Sequence, residues 1–219
     1  MNQNYQLIFA ILLHYISYIA MQTLAIFAET KRSEGIPDRL HEWIPPHREY
    51  DWVNNKFWLY ILLTSIIFLI IYKRKVAIKY LLVGSIVSLV RGIFIFMTSL
   101  GAPLAVRESI PIEIQNIKIE DITIKFLIKQ WIPLEIFTQE NFSGFYLTQD
   151  LFFSGHTAST FLLLLCIEKK NLVFYIFLLY HINTVFFLII THEHYTIDIL
   201  GAYFITYSIY TFMEQKKLV

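Results

Sequence analysis

Two histidines, His156 and His194, carry the chemistry that this sequence advertises. His194 and Asp198 are four residues apart, so on a helix they share a face one turn apart. A carboxylate so placed takes the proton of one imidazole nitrogen and fixes the tautomer. The other nitrogen is left free as a nucleophile or base. His156 follows Ser154 and Gly155 and precedes Thr157. A glycine at a helix start lets backbone N–H groups approach an anion, and the two hydroxyls add donors. Two imidazoles, an orienting acid and an anion cradle are the parts of a phosphoryl-transfer site.

The other histidines weigh less. His14, His41, His47 and His181 read as ordinary polar residues near a membrane interface. His192-Glu193-His194 offers metal-ligating side chains, but it is not H-E-x-x-H and lacks a clear third ligand, so no metal is expected. Arg91 lies well below the residue-100 end of its apolar segment, where a buried guanidinium needs an anionic partner. Two readings stand side by side: a phosphate ligand, or a structural pair with Asp198 or Asp150.

The elements that must position these residues follow from hydropathy. The chain has 219 residues, of which 56% are hydrophobic and only 16% charged, against about 25% charged in soluble domains. Long uncharged stretches alternate with charge clusters, the pattern of a polytopic membrane protein. Six segments qualify, at 7–28, 57–72, 80–100, 151–167, 172–190 and 195–213. The second is the shortest and either borrows Val53 or tilts little. Backbone polar groups must be satisfied internally in lipid, so these are helices. The first is longer than a signal-peptide core and reads as a retained span. The expectation is an all-α, six-span bundle in a single membrane domain, 1–219.

Short basic connections orient it. Lys73, Arg74, Lys75 and Lys79 link the second and third segments, Lys169 and Lys170 the fourth and fifth, and Lys216 and Lys217 follow the sixth. With six spans all three fall on one side, which is then cytoplasmic together with both termini. The loops 29–55 and 101–150, and both motif histidines, lie on the other side. Residues 110–128 alternate in part and suit either a strand pair or an interfacial segment. A net charge of +1 gives nucleic acid no obvious purchase, and the single Cys166 allows no intramolecular disulfide.

These motifs resemble the core of the type-2 phosphatidic acid phosphatase superfamily. The closer similarity is to its sphingomyelin synthase branch. The stretches that carry it are Ile36-Pro37-Asp38, Arg91-Gly92 through Thr98-Ser99-Leu100 to Pro103, Asp150 to Thr157, and His192 to Ile199 followed by Ala202 to Thr206. The pattern departs where Thr148 and Gln149 precede Asp150, and where Gly101-Ala102 precede Pro103. The phosphatase branch has further cations, one of them at the position that is Leu188 here. A phosphomonoester carries roughly −1.5 to −2 charge and calls for several fixed cations, whereas a diester carries about −1.

The resemblance implies headgroup transfer from a phospholipid donor, phosphocholine or phosphoethanolamine, to a lipid alcohol such as ceramide, through a phosphohistidine and without cofactor or metal. His194 is the nucleophile oriented by Asp198, and His156 is the acid and base. Arg91, Asp150, Ser154, Gly155, Thr157 and Tyr195 are expected around the substrate. Trp43, Trp131 or Tyr195 would hold a choline cation. The competing expectation is a lipid phosphatase or phospholipase C-like hydrolase with water as acceptor.

Overall fold

Uncharged runs of leucine, isoleucine, phenylalanine and tyrosine form long helices, and polar residues at their starts set where they begin. The computed structural model describes residues 2–31, 33–109, 118–132, 149, 151–169 and 172–219. Among them are nine α-helices and no strand: α1 (Gln3–Ala28), α2 (Arg39–Trp43), α3 (Trp58–Tyr72), α4 (Arg74–Thr98), α5 (Leu104–Ser109), α6 (Ile124–Trp131), α7 (Gly155–Cys166), α8 (Leu172–Ile190) and α9 (Thr196–Gln215).

Four helical stretches are long and apolar enough to cross a membrane: Gln3–Ala28, Arg48–Tyr72, Arg74–Thr98 and Leu172–Ile190. The second is continuous because a π-turn, Val53–Phe57, runs straight into α3. The helix at 74 begins before the expected residue 80. Lys73 alone breaks the chain between α3 and α4, with φ −139° and ψ 51°. Lysine and arginine are good helix formers, and their long side chains let the backbone stay helical beside the headgroups. Helix α9 has 20 residues but is interrupted by Asp198, Thr206 and Glu214.

Helix α7 is shorter than the expected 151–167. Its 12 residues rise only about 18 Å. Ser154 ends the preceding non-helical stretch by accepting the Thr157 N–H, and the helix starts at Gly155. Non-helical backbone at membrane depth is tolerated where protein satisfies it. Here the Ser154 N–H donates to the Asp198 carbonyl at 3.1 Å, and the Phe153 carbonyl accepts from Arg91 at 2.7 Å.

The core joins α3, α4, α7, α8 and α9 through Leu69, Tyr80, Val83, Phe153, Leu163 and Phe177, all buried. Helix α1 packs along α4. The outward faces are apolar as well: Ile8, Leu12 and Ile16 on α1 and Leu172, Ile176 and Leu179 on α8 are exposed. A soluble protein seldom shows such faces, and a bilayer covers them. Within 110–128, residues 119–121 form a 3-10 turn, and α6 follows with the Thr123 hydroxyl capping it. Residues 110–117 lie outside the described set.

Candidate active site

The starts of two helices and the side of a third meet around the two motif histidines. His156 sits in the first turn of α7, His194 just before α9, and Arg91 reaches across from α4. The imidazole centroids of His156 and His194 are 5.9 Å apart at 65°. His194 Nδ1 faces Asp198 Oδ2 at 3.5 Å. Among the described residues neither His194 Nδ1 nor Asp198 Oδ1 has a hydrogen-bond partner. That carboxylate is fully buried, and its Oδ2 also accepts the Tyr195 N–H at 2.9 Å. His194 lies in the turn before α9 and not on the helix, so the two do not share a helix face as expected; Asp198, in the first turn of α9, reaches back to cap it and faces His194 with the same group. His194 is buried and His156 half-buried, so the open approach is on the His156 side.

Arg91 is buried, and its Nε donates to the Phe153 carbonyl at 2.7 Å while Nη1 lies 3.2 Å from Met21 Sδ. A Cβ added to Gly155 would sit 3.1 Å from the guanidinium carbon. The missing side chain is what lets the guanidinium lie against the first turn of α7. Positive charge and the N-terminal end of α7 are thus brought to one place beside His156, a suitable seat for an anion.

Other expected site residues serve the frame. The Ser154 and Thr157 side chains are fully buried, and the Thr157 hydroxyl donates to Ser154 Oγ at 3.1 Å. Both are occupied with the start of α7. Tyr195, expected near substrate, is 1% exposed; its hydroxyl donates to the Gly101 carbonyl at 3.0 Å and accepts the Ile36 N–H at 3.2 Å. A Cβ on Gly35 would lie 2.6 Å from that hydroxyl, so the loop comes this close only with glycine there. Asp150 lies outside the described residues. Trp43 is 72% exposed, and Trp131 donates to Thr23 Oγ1 at 3.0 Å. The tryptophan that stands at the site is Trp58, with its ring 4.2 Å from His156. It had no motif to announce it.

The segment 35–57 folds over the turn between α8 and α9. Asp38 accepts the Thr196 N–H at 2.6 Å and its hydroxyl at 2.9 Å, and caps α2 through Leu40 N–H at 2.9 Å. Although burial works the other way, these bonds hold the Asp38 carboxyl below the usual carboxylate range. His41 Nε2 lies 3.2 Å from the His194 carbonyl. Its ring stacks on His192 at 4.0 Å, and His192 Nε2 meets the Ile44 carbonyl at 2.9 Å. Burial lowers both imidazoles from their ordinary range, and His41 beside His192 lowers the latter further. Asn54, fully buried, donates to Thr191 Oγ1 at 3.0 Å, and its backbone hydrogen-bonds the His156 ring. His41, set aside in the sequence, and Asn54 are thus part of what holds both histidines. His192, Glu193 and His194 point to different partners, and among the described residues no three His, Cys, Asp or Glu side chains form a metal-holding group.

Asp38→Ala is expected to lower stability by about 1–3 kcal/mol, since it unties two helix starts at once. Thermal melts in detergent would register it, and Asp38→Asn, which keeps one acceptor oxygen, should fall between.

Glu193 supplies a pH dependence. Burial first, and Asp51 beside it, push its carboxyl up to about 8. A folded-state value above the unfolded one means that the native state holds the extra proton. The resulting stability is full at low pH and is lost as pH rises towards 8. The neutral His41 and His192 act oppositely, losing stability as pH falls below about 6.5. The melting midpoint should therefore decline from pH 6.5 to 8.5, and decline less in Glu193→Gln.

The curated proteins contain no match to this chain. Its residues 149–216, which hold His156, His194 and Asp198, match the family model described as PAP2 superfamily C-terminal.

Proposed function

We propose that this protein is a membrane lipid phosphotransferase that moves a phospholipid headgroup to a lipid alcohol through a phosphohistidine. The observation that carries the reading is the meeting of His156 and His194 at 5.9 Å, with the Asp198 carboxylate behind one ring and Arg91 beside the helix start that bears the other. The PAP2-type match over 149–216 supports lipid phosphate chemistry in general.

Asp198 holds the proton on His194 Nδ1, which leaves Nε2 to attack phosphorus. The P–O bond to diacylglycerol breaks, and protonated His156 gives its proton to the departing oxygen. The acceptor hydroxyl then loses its proton to His156 and attacks phosphorus, and the P–N bond breaks. Arg91 and the N–H groups of α7 stabilise the negative oxygens. One guanidinium matches a singly charged diester; Arg48, the next cation along the α8–α9 turn, is neutralised by Asp51 at 2.6 Å.

Six spans belong to this reading, with α7 and α9 joining the four long apolar stretches. Arg74 donates to Asn4 at 2.6 Å and Lys79 pairs with Glu214 at 2.6 Å, so both termini and the basic turns share one end of the bundle. Net positive charge supports a cytoplasmic location for that end, and hence a non-cytoplasmic one for the histidines.

The test is product identity. The purified protein in vesicles receives headgroup-labelled phosphatidylcholine or phosphatidylethanolamine with ceramide. Label on ceramide supports transfer. Release of a water-soluble phosphoester, with ceramide ignored, shows a hydrolase instead. Phosphate released from phosphatidate, with neither diester consumed, overturns the diester assignment.

A further inference from the structure

At the end of the bundle remote from the histidines lies a cleft of about 510 Å³. Ligand sites typically run from about 300 to 1,000 Å³. Its charged and aromatic lining is Lys73, Lys75, Lys79, Lys169, Glu168 and Tyr210. It forms where the α3–α4 turn, the end of α7 and the last turns of α9 come together, at the ends of the membrane-length stretches Arg48–Tyr72 and Arg74–Thr98. His156 and Cys166 mark the two ends of α7, about 15 Å apart along its axis. The cleft is therefore separate from the site described above.

Two features suit the cleft to an anion. The first is charge balance. Lys79 is committed to Glu214 at 2.6 Å, with its ammonium over the Tyr210 ring at 4.7 Å. Among the described residues no carboxylate pairs with Lys73, Lys75 or Lys169. Three ammonium groups thus face the cleft against one acid, Glu168. The second is the start of α4. It has no side-chain cap, no acidic residue in its first turn, and Arg74 and Lys75 where a helix favours negative charge. A phosphate seated there would accept the uncapped N–H groups and offset both faults at once.

We propose that this cleft binds the phosphate of an anionic phospholipid headgroup, from the leaflet opposite the one that the histidines face. The setting favours a lipid, because the cleft sits where the membrane-length helical stretches that contain α3 and α4 meet. Bound there, the headgroup clamps the α3–α4 turn to the ends of α7 and α9.

The experiment uses the full chain as His194→Ala in neutral detergent, so that no lipid is turned over. Retained lipid is counted by native mass spectrometry, and the melting midpoint is followed, as phosphatidylglycerol or phosphatidylcholine of matched chains is added. Saturable retention of phosphatidylglycerol over phosphatidylcholine is expected, with a raised midpoint. Lys75→Gln with Lys169→Gln should weaken it roughly 10- to 30-fold, on the basis of about 1 kcal/mol for each lysine. Lys216→Gln with Lys217→Gln removes the same charge from the exposed end of the chain and should leave retention intact. Equal loss in both double variants, unchanged retention in the first, or the same stabilisation by inorganic phosphate alone would each overturn the proposal.

Discussion

His194→Ala is expected to abolish lipid turnover, while His156→Ala should leave a slow residue. The two imidazoles differ in what stands behind them. His194 has the Asp198 carboxylate at 3.5 Å from Nδ1, so one nitrogen faces an acid and the other is left for attack. His156 has Trp58 packed at 4.2 Å and the Asn54 backbone as hydrogen-bond partner, and among the described residues no carboxylate pairs with it. The first arrangement suits a nucleophile and the second a proton carrier. Loss of a general acid and base costs about 10²- to 10⁴-fold, and loss of the nucleophile removes the covalent route altogether. Rapid quenching with labelled donor separates them. Wild-type protein should carry acid-labile, base-stable label on histidine. His194→Ala should carry none, while His156→Ala should accumulate label slowly, chiefly when the leaving group is a good one that needs no proton. A labelled His194→Ala protein would reverse the assignment.

What the sequence disclosed and what it withheld divide along a physical line. The relation of His194 to Asp198 is local, although the turn before α9 and the Asp198 cap set it rather than a shared helix face; the capping of α7 by Ser154 and the apolar length of α1, α4 and α8 are local as well. Such features depend on neighbours within a turn or two. The withheld features depend on distant chain. Asp38 was visible only as part of a short motif; that its carboxylate receives Thr196 could not be read, because nothing in either segment encodes the other. Trp58 looked like one more apolar residue of its helix until α7 brought His156 against it. The surroundings of Tyr195 were hidden for the same reason. Its place beside His194 suggested contact with substrate, yet the loops at Gly35 and Gly101 enclose its hydroxyl. Arg91 was legible as costly and therefore as meaningful. That Gly155 makes room for it, and that the Phe153 carbonyl anchors it, belongs to tertiary structure.

Asp198→Asn should separate the structural from the chemical duty of one side chain. Asp198 Oδ2 accepts the Tyr195 N–H at 2.9 Å, and its main-chain carbonyl accepts the Ser154 N–H at 3.1 Å. An asparagine in the same rotamer keeps an oxygen for Tyr195 and leaves the main-chain bond untouched. The fold should therefore survive with a loss of about 1 kcal/mol or less. The chemistry should not survive. An amide carries no charge to balance the cationic His194 that forms as its ring is phosphorylated, and it no longer holds the tautomer. In acid-oriented histidine sites such a change costs as much as about 10⁴-fold. Asp198→Ala removes the cap as well and should add an instability of about 1–2 kcal/mol. Measured together, melting midpoints and initial rates give a clear criterion. Asparagine should sit close to wild type in stability and close to alanine in rate. If it instead followed wild type in rate, Asp198 would be a cap alone, and the orientation of His194 would have to come from its backbone, which His41 touches at 3.2 Å through the His194 carbonyl.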